Sequence, residues 1–428
     1  NIDELEAGQW FLAVPEPHRD GHDALKEAAE KGAIGAIVVR RRRYPFAAPD
    51  ALMLGVDSTL QAYYQLARLA LKRIKPKVIA ITGSSGKSTT RDMLKSILSL
   101  RYKVHTSSTN KPDGRNLART ILSMPEDTEV LVVELAQKGR GQISWLGSMI
   151  EPDIAIITNI GQAHLDTLGS MENVAQAKCE LLETINAHTG IAILGDQNHH
   201  LVRRAQVVLD GAPMFIFDEN DIDELAVTPE HTIFASRQNT LFELQAHGSA
   251  YLRDAWCAIT CAKQLLMSEH QAAEGLRRYV PPTGRGNRMK VINDGLLIDE
   301  SYSATPDSVR AAVSAFLDRR AVPSARKFIV LGAMDDLGES SDSLHRKLGS
   351  WLSAQTFEGL LLLGENTKHI KLGLEGCDFE VHSCHKASEV MSFLEKTIDQ
   401  STAILVDGSD SPELRTLVHG LTRQQAIR

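Results

Sequence analysis

The chain reads as an α/β protein of three domains, and three observations predict it. Its 428 residues exceed what one core comfortably serves. Short branched-aliphatic runs recur along it, separated by lengths that suit helices. A loop of small residues joins the first such run of its middle region to the helix that follows.

The first segment holds a helical stretch from Asp23 to Lys31, stopped by Gly32, and then an apolar strand from Ala36 to Val39. A second amphipathic stretch, Leu60 to Ile74, ends at Lys75-Pro76-Lys77, where proline disfavours helix and the charges favour exposure. The first domain is therefore set at residues 1–76. In the second, residues 77–283, the runs Val78 to Thr82, Val130 to Val133, Ile154 to Thr158 and Ile191 to Leu194 suit strands buried on both faces of a largely parallel sheet. Past Pro281-Pro282-Thr283-Gly284 the alternation resumes with Leu296 to Ile298, Phe328 to Leu331, Leu360 to Leu363 and Ile404 to Val406. A helix from Ser308 carries Val309, Ala312, Val313, Phe316 and Leu317 on one face, giving a third α/β domain over residues 284–428.

Composition excludes several classes. With 43% hydrophobic and 24% charged residues the chain is of the ordinary globular type, and no apolar run approaches the roughly 18 residues of a membrane span. The stretch Asn1 to Gln9 lacks the basic and apolar regions of a signal peptide, so the expected compartment is the cytoplasm. The 5 cysteines contain no C-x-x-C pair and indicate neither a disulfide framework nor a zinc site. A formal charge of −7 argues against a sequence-independent grip on nucleic acid, and Arg40 to Arg43 is read as a solvated strand end. No apolar stripe calls for a second copy, and a monomer is expected.

The sharpest chemical signal is Val78-Ile79-Ala80-Ile81-Thr82-Gly83-Ser84-Ser85-Gly86-Lys87-Ser88-Thr89, a strand, a small-residue loop and a helix start. Glycines let backbone N–H groups close around phosphate oxygens, Lys87 supplies a point charge for the outer phosphates, and the Ser88 hydroxyl can ligate Mg²⁺. Only Ser84 and Ser85 stand between the first glycine and Gly86-Lys87, a tighter loop than the general phosphate-binding pattern. Glu134 follows the Val130 to Val133 run, and a carboxylate at the carboxyl end of a parallel strand beside such a loop is where a further Mg²⁺ ligand belongs. His164 in Thr158-Asn159-Ile160-Gly161-Gln162-Ala163-His164-Leu165, and Lys178 in Ala177-Lys178-Cys179-Glu180, have ordinary structural readings by residue type alone.

Together these segments resemble the Mur ligase family over nearly the whole chain. The resemblance rests on Asp20-Gly21-His22-Asp23, the short loop Gly83 to Thr89, Asn159 to Leu165 with Gly169-Ser170, and Ala177-Lys178. It continues in Gly284-Arg285-Gly286 with Arg288, Ile298-Asp299-Glu300-Ser301-Tyr302-Ser303-Ala304-Thr305-Pro306, and Val330-Leu331-Gly332-Ala333-Met334 with His345. It implies an N-terminal domain of the UDP-substrate type, a central P-loop ATPase domain on a parallel sheet, and a Rossmann-like C-terminal domain for the amine substrate. It implies an ADP-forming ligase that activates a carboxylate as an acyl phosphate and passes it to an amine. Within the family it is most similar to the branch that adds D-alanyl-D-alanine to a UDP-N-acetylmuramoyl tripeptide in peptidoglycan synthesis.

The implied cofactors are ATP and two Mg²⁺ ions. The resemblance gives Lys87 the transferred phosphate, Ser88 and Glu134 one Mg²⁺, and His164 with a carbamylated Lys178 the other. Asn159 matches a position near the γ-phosphate, while Arg285, Asp299 and Tyr302 match positions that close over ATP. Departures fall in Asn110 to Ala118, near the acyl substrate, in Ala250 to Asp254, near adenine, and at Ser303, Thr305 and Ala333. Asp407 and Asp410 stand where the family has two cations, which a site for the carboxylate end of a dipeptide should not accept. Two other readings stay open: a paralogue joining a different carboxylate and amine, and a nucleotide-binding protein without ligase activity.

Overall fold

The computed structural model describes residues 2–423 except 16–18, 41–51, 108–112, 138, 162–167, 187, 229, 325 and 336. Arg41 to Arg43, Asn110 to Pro112, and Gln162 to Leu165 with the candidate His164, all singled out in the sequence, lie outside the described residues. The chain divides into two units, residues 1–76 with 107–128, and residues 77–106 with 129–428.

In the first unit β1 (Trp10–Leu12), β2 (Gly35–Val39) and β3 (Leu52–Val56) form a parallel sheet in that order. The helix expected from Asp23 begins instead as a short turn, Gly21–Ala24, capped by the Asp20 carboxylate and continued by the helix Leu25–Glu30. The buried His22 ring accepts from Val39 N at 3.1 Å and holds Asp20 at 2.6 Å, tying this turn to β2. Ser58 caps the helix Thr59–Ile74, whose end at Lys75 takes a left-handed φ of 56° just before the proline. The helix Gly114–Leu122, with Asp113 as its cap, packs on Thr59–Ile74 and belongs to this unit, although its sequence lies between strands of the second.

Among the described residues the second unit carries three sheets. The strands β4 (Lys77–Thr82), β5 (Val104–Thr106), β6 (Val130–Glu134), β7 (Ile154–Ile157), β8 (Ile191–Leu194) and β9 (Met214–Ile216) form a parallel sheet in the order β5-β6-β4-β7-β8-β9. Its aliphatic strands are buried on both faces, as the runs predict. One face packs Ile79, Ile81 and Val132 against helices Lys87–Leu98, Ser249–Gln264 and Glu269–Arg277. The strands β10 (Ile222–Val227), β11 (Thr232–Ser236) and β12 (Leu241–Leu244) make a small antiparallel sheet, with Phe234 and Phe242 stacked at 5.1 Å across β11 and β12.

The strands β13 (Asn287–Lys290), β14 (Leu296–Glu300), β15 (Arg326–Leu331), β16 (Gly359–Leu363), β17 (Glu380–Cys384) and β18 (Thr402–Asp407) form the last sheet in the order β13-β14-β18-β15-β16-β17, parallel except for β13. Its residues alternate between two cores, as a strand's period of two requires. Ile298, Ile329, Leu360 and Leu405 meet helices Pro306–Leu317 and Ser341–Leu352 on one face. Leu297, Val330, Leu361 and Ile404 meet Ala387–Thr397 and Pro412–Arg423 on the other.

This order puts β4 between β6 and β7, with Ile81 level with Glu134 and Thr82 level with Ile157. The loop after Thr82, the carboxylate of Glu134 and the segment Thr158-Asn159 therefore leave the sheet at one carboxyl edge, where open parallel sheets hold ligands. Among the described residues no helix is long and apolar enough to cross a membrane.

Candidate active site

The short loop is held by its neighbours. The Asn159 carboxamide oxygen accepts from Ser84 N at 3.1 Å and Ser85 N at 3.0 Å, and its nitrogen donates to Ser85 Oγ at 2.6 Å. The Thr158 hydroxyl donates to Ser85 O at 2.5 Å, and Gly161 N donates to Ser84 Oγ at 2.9 Å. The loop is thus shaped from β7 as well as by its own glycines. Gly83 lies at φ +153°, and a Cβ there would overlap the Thr158 hydroxyl. Gly86, at φ +76°, caps the helix Lys87–Leu98, whose first-turn N–H groups have no partners within the helix and face where a phosphate would sit. Thr89 is buried in that turn.

Lys87 Nζ donates to Gly83 O at 2.7 Å, folding the ammonium back over the loop. Burial pulls its pKa below the ordinary lysine value, Glu134 opposes that, Arg285 adds to it, and Asp254 opposes it. Ser88 Oγ donates to Glu134 Oε2 at 2.8 Å, and Arg91 Nη1 lies 2.7 Å from Glu134 Oε1. No motif in the sequence marks Arg91 as a site residue. Its one signal is position, three residues after Ser88 and so on the same face of the helix. Asp92 pairs with Arg91 in turn at 2.7 Å.

Lys178 sits near the end of the helix Met171–Cys179 with 1% of its surface exposed. Burial drives its pKa well below the ordinary value, the charge of Lys87 lowers it further, and Glu180 opposes them. Glu180 is itself engaged, accepting from Gly141 N at 2.7 Å and Ser144 N at 3.2 Å at the start of the helix Gln142–Ile150.

The linker and last sheet bring in the remaining candidates. Arg285 stacks on the Tyr302 ring at 4.1 Å and lies 4.0 Å from Asp92 Oδ2, joining the phosphate helix to the third segment. Asp299 is fully buried and accepts from Gly284 N at 3.0 Å, Ser301 N at 3.1 Å and Ser301 Oγ at 2.6 Å, so it fixes the turn that carries Arg285. Beside it Tyr251 Oη donates to Glu300 Oε1 at 2.9 Å. Burial pushes Glu300 up to about 7.

Asp407 is 2% exposed, and burial, with Glu300 adding to it, holds its carboxyl well above the usual range. Asp410 lies 2.5 Å from Arg415 Nη1. The two acidic residues therefore do not present two free negative charges.

Among the described residues no group of three or more His, Cys, Asp and Glu converges on a metal position. The donors that do converge are the Ser88 and Glu134 oxygens. A pair of hard oxygens beside a phosphate loop fits Mg²⁺, which takes one or two protein ligands and completes its shell with phosphate oxygens and water.

Comparison with known proteins bears on the same residues. Residues 81–260 match the Mur ligase middle domain, and residues 287–410 match the Mur ligase glutamate ligase domain. The chain is 32% identical over 423 residues to the UDP-N-acetylmuramoyl-tripeptide–D-alanyl-D-alanine ligase of Synechocystis sp., covering 97% of this chain and 90% of that one. The chain belongs to the Mur ligase family. This Mur ligase is also 30% identical over 368 residues to the enzyme of the same name from Bacillus subtilis, covering 85% of this chain and 78% of the relative. Its fold matches the crystal structure of MurF from Acinetobacter baumannii with a TM-score of 0.87 and 26% identity, over 99% of this chain and 92% of that one.

Proposed function

We infer that this Mur ligase joins D-alanyl-D-alanine to a UDP-N-acetylmuramoyl tripeptide, using ATP and forming ADP and phosphate. The observation that carries the reading is the likeness, over 97% of the chain, to a ligase named for that reaction. The site supplies the physical support. The reaction begins with the substrate carboxylate oxygen attacking the γ-phosphorus of ATP; the bond to ADP breaks and an acyl phosphate forms. This brings like charges together, and Lys87 at the head of its helix, with the first-turn N–H groups, can offset them. Mg²⁺ held by Ser88 and Glu134 would add Lewis-acid stabilisation of the phosphoryl oxygens. Arg91 keeps the Glu134 carboxylate aimed at that position. The amine nitrogen then attacks the acyl carbon and phosphate leaves. Arg285, stacked on the Tyr302 ring, would help to close this side of the site.

Lys178 is proposed as a carbamate. A lowered pKa favours the deprotonated amine, which adds to carbon dioxide by forming an N–C bond and losing a proton, and the resulting carboxylate-like group would join His164 at a second Mg²⁺. The proposed domains are 1–76, 77–283 with a P-loop ATPase sheet, and 284–428 with a Rossmann-like sheet. The proposed compartment is the cytoplasm, where ATP is supplied. Asp407 and Asp410 do not favour a different amine, since the first is buried with its carboxyl pKa raised and Arg415 pairs with the second.

The test is phosphate release from ATP and Mg²⁺ by the purified chain, with UDP-N-acetylmuramoyl tripeptide present and D-alanyl-D-alanine supplied or withheld. Release that needs both, with the pentapeptide product found by mass, is the expected result. Release that proceeds with another amine and not with D-alanyl-D-alanine would replace the reading with that of a paralogue.

A further inference from the structure

Asp254 lies in the first turns of the helix Ser249–Gln264, with 3% of its surface exposed and Oδ1 buried without a hydrogen-bond partner among the described residues. It is pressed against the cap of the phosphate helix: a Cβ on Gly86 would stand 2.5 Å from Asp254 Oδ2 and 2.7 Å from its Cγ. A dehydrated carboxylate at this place is unfavourable by itself, and more so when the phosphates of ATP occupy the adjoining loop. Lys87 is the cation that both would share.

We propose that Asp254 is a positioning residue of the phosphate loop that must be protonated for ATP to bind, so that binding draws a proton from solvent. The inference rests on the ATP-site reading above. In the free protein the Asp254 carboxylate partly offsets the Lys87 ammonium. When phosphate oxygens take over that ammonium, one proton adds to the carboxylate, and the neutral carboxyl stays packed on Gly86.

The groups that face Asp254 are Arg253, Tyr251 and Cys257 from its own helix, Lys87 from the phosphate helix, and Tyr279 from beyond the helix Glu269–Arg277. Burial outweighs the attraction of Arg253 and Lys87 and brings the carboxyl to about 7. The sign follows. Below that value the free protein already carries the proton; above it the proton must be taken up, and ATP affinity falls by up to about tenfold per pH unit.

The experiment is titration calorimetry of the full chain with ATP and Mg²⁺ at pH 6, 7 and 8, in two buffers of different ionisation enthalpy, for wild type and Asp254→Asn. Subtracting the variant removes the protons that ATP itself exchanges. The expected difference is about 0.9 proton per ATP at pH 8, shrinking to about 0.1 at pH 6. Asp254→Asn is expected to bind ATP at pH 8 at least as tightly as wild type, with a shallower pH slope. Equal proton counts in the two proteins overturn the proposal. So does a variant that melts like wild type and has lost ATP affinity tenfold. Should the variant not fold, wild-type affinity that stays constant from pH 6 to 8 overturns it alone. A wild type that binds no ATP at any pH sinks the ATP site itself, an outcome distinct from the others.

Discussion

Alanine at Gly86 probes the phosphate loop where its geometry is tightest. Two costs add. A φ of +76° is left-handed backbone, which costs a residue with a Cβ about 1–2 kcal/mol. The new methyl would also stand 2.5 Å from Asp254 Oδ2 and 2.7 Å from Cγ, well inside van der Waals contact, and a short buried carboxyl has little room to give. Overpacking of this kind costs about 1–3 kcal/mol. The sum, about 2–5 kcal/mol, falls on the loop conformation that receives phosphate. It weakens ATP binding by roughly thirtyfold to three-thousandfold at about 1.4 kcal/mol per decade. Calorimetric ATP titration gives the affinity, and a thermal melt shows whether the variant is folded. The double variant Gly86→Ala, Asp254→Ala keeps the backbone cost and loses the clash, so it recovers about 1–3 kcal/mol relative to the additive expectation. Gly86→Ala binding ATP within threefold of wild type, or a double variant with no recovery, would refute the reasoning.

The other predictions concern the charged groups around that loop. Glu300, raised to about 7, contributes stability that is full below its ordinary value of 4.5 and lost as pH rises through 7, up to about 3 kcal/mol. Melting curves from pH 5 to 8 should thus fall less steeply for Glu300→Gln than for wild type, and parallel curves would sink the assignment. Tyr251→Phe removes one of the donors to Glu300 and should cost about 1 kcal/mol, read as a lower melting temperature at pH 7. Lys178→Ala should abolish turnover, with a short carboxylate in solution restoring part of it and bicarbonate restoring none; near wild-type rates would exclude a carbamate there. Lys87→Ala should stop ATP-dependent phosphate release without lowering the melting temperature, and retained release would count against the phosphate cradle.

Much of the fold was legible because buried parallel strands leave a plain mark. Val78 to Thr82, Val130 to Val133 and Ile191 to Leu194 had no polar alternation to confuse them, and each is a strand within a residue or two. The sheet β10 to β12 was missed because Ile222-Asp223-Glu224-Leu225 exposes most of its side chains and carries no aliphatic run. The helix Gly114–Leu122 could be placed with the first unit only from tertiary packing.

The same divide runs through the site. Gly83 to Thr89 declared itself by local spacing, whereas Arg91 and Asp254 are ordinary helix residues until the fold sets them against Glu134 and Gly86. Asp407 and Asp410 looked like two unfavourable charges. A residue string shows neither the burial of the first nor the partner of the second.

Tyr251 and Asp254 sit three positions apart on one helix, the first reaching Glu300 at the end of β14 and the second reaching Gly86. One helical turn therefore gauges the spacing between the phosphate loop and the last sheet. Each residue of an α-helix turns about 100°, so one residue inserted or deleted between these two would swing one of them off its target. Length is therefore something this turn has to keep.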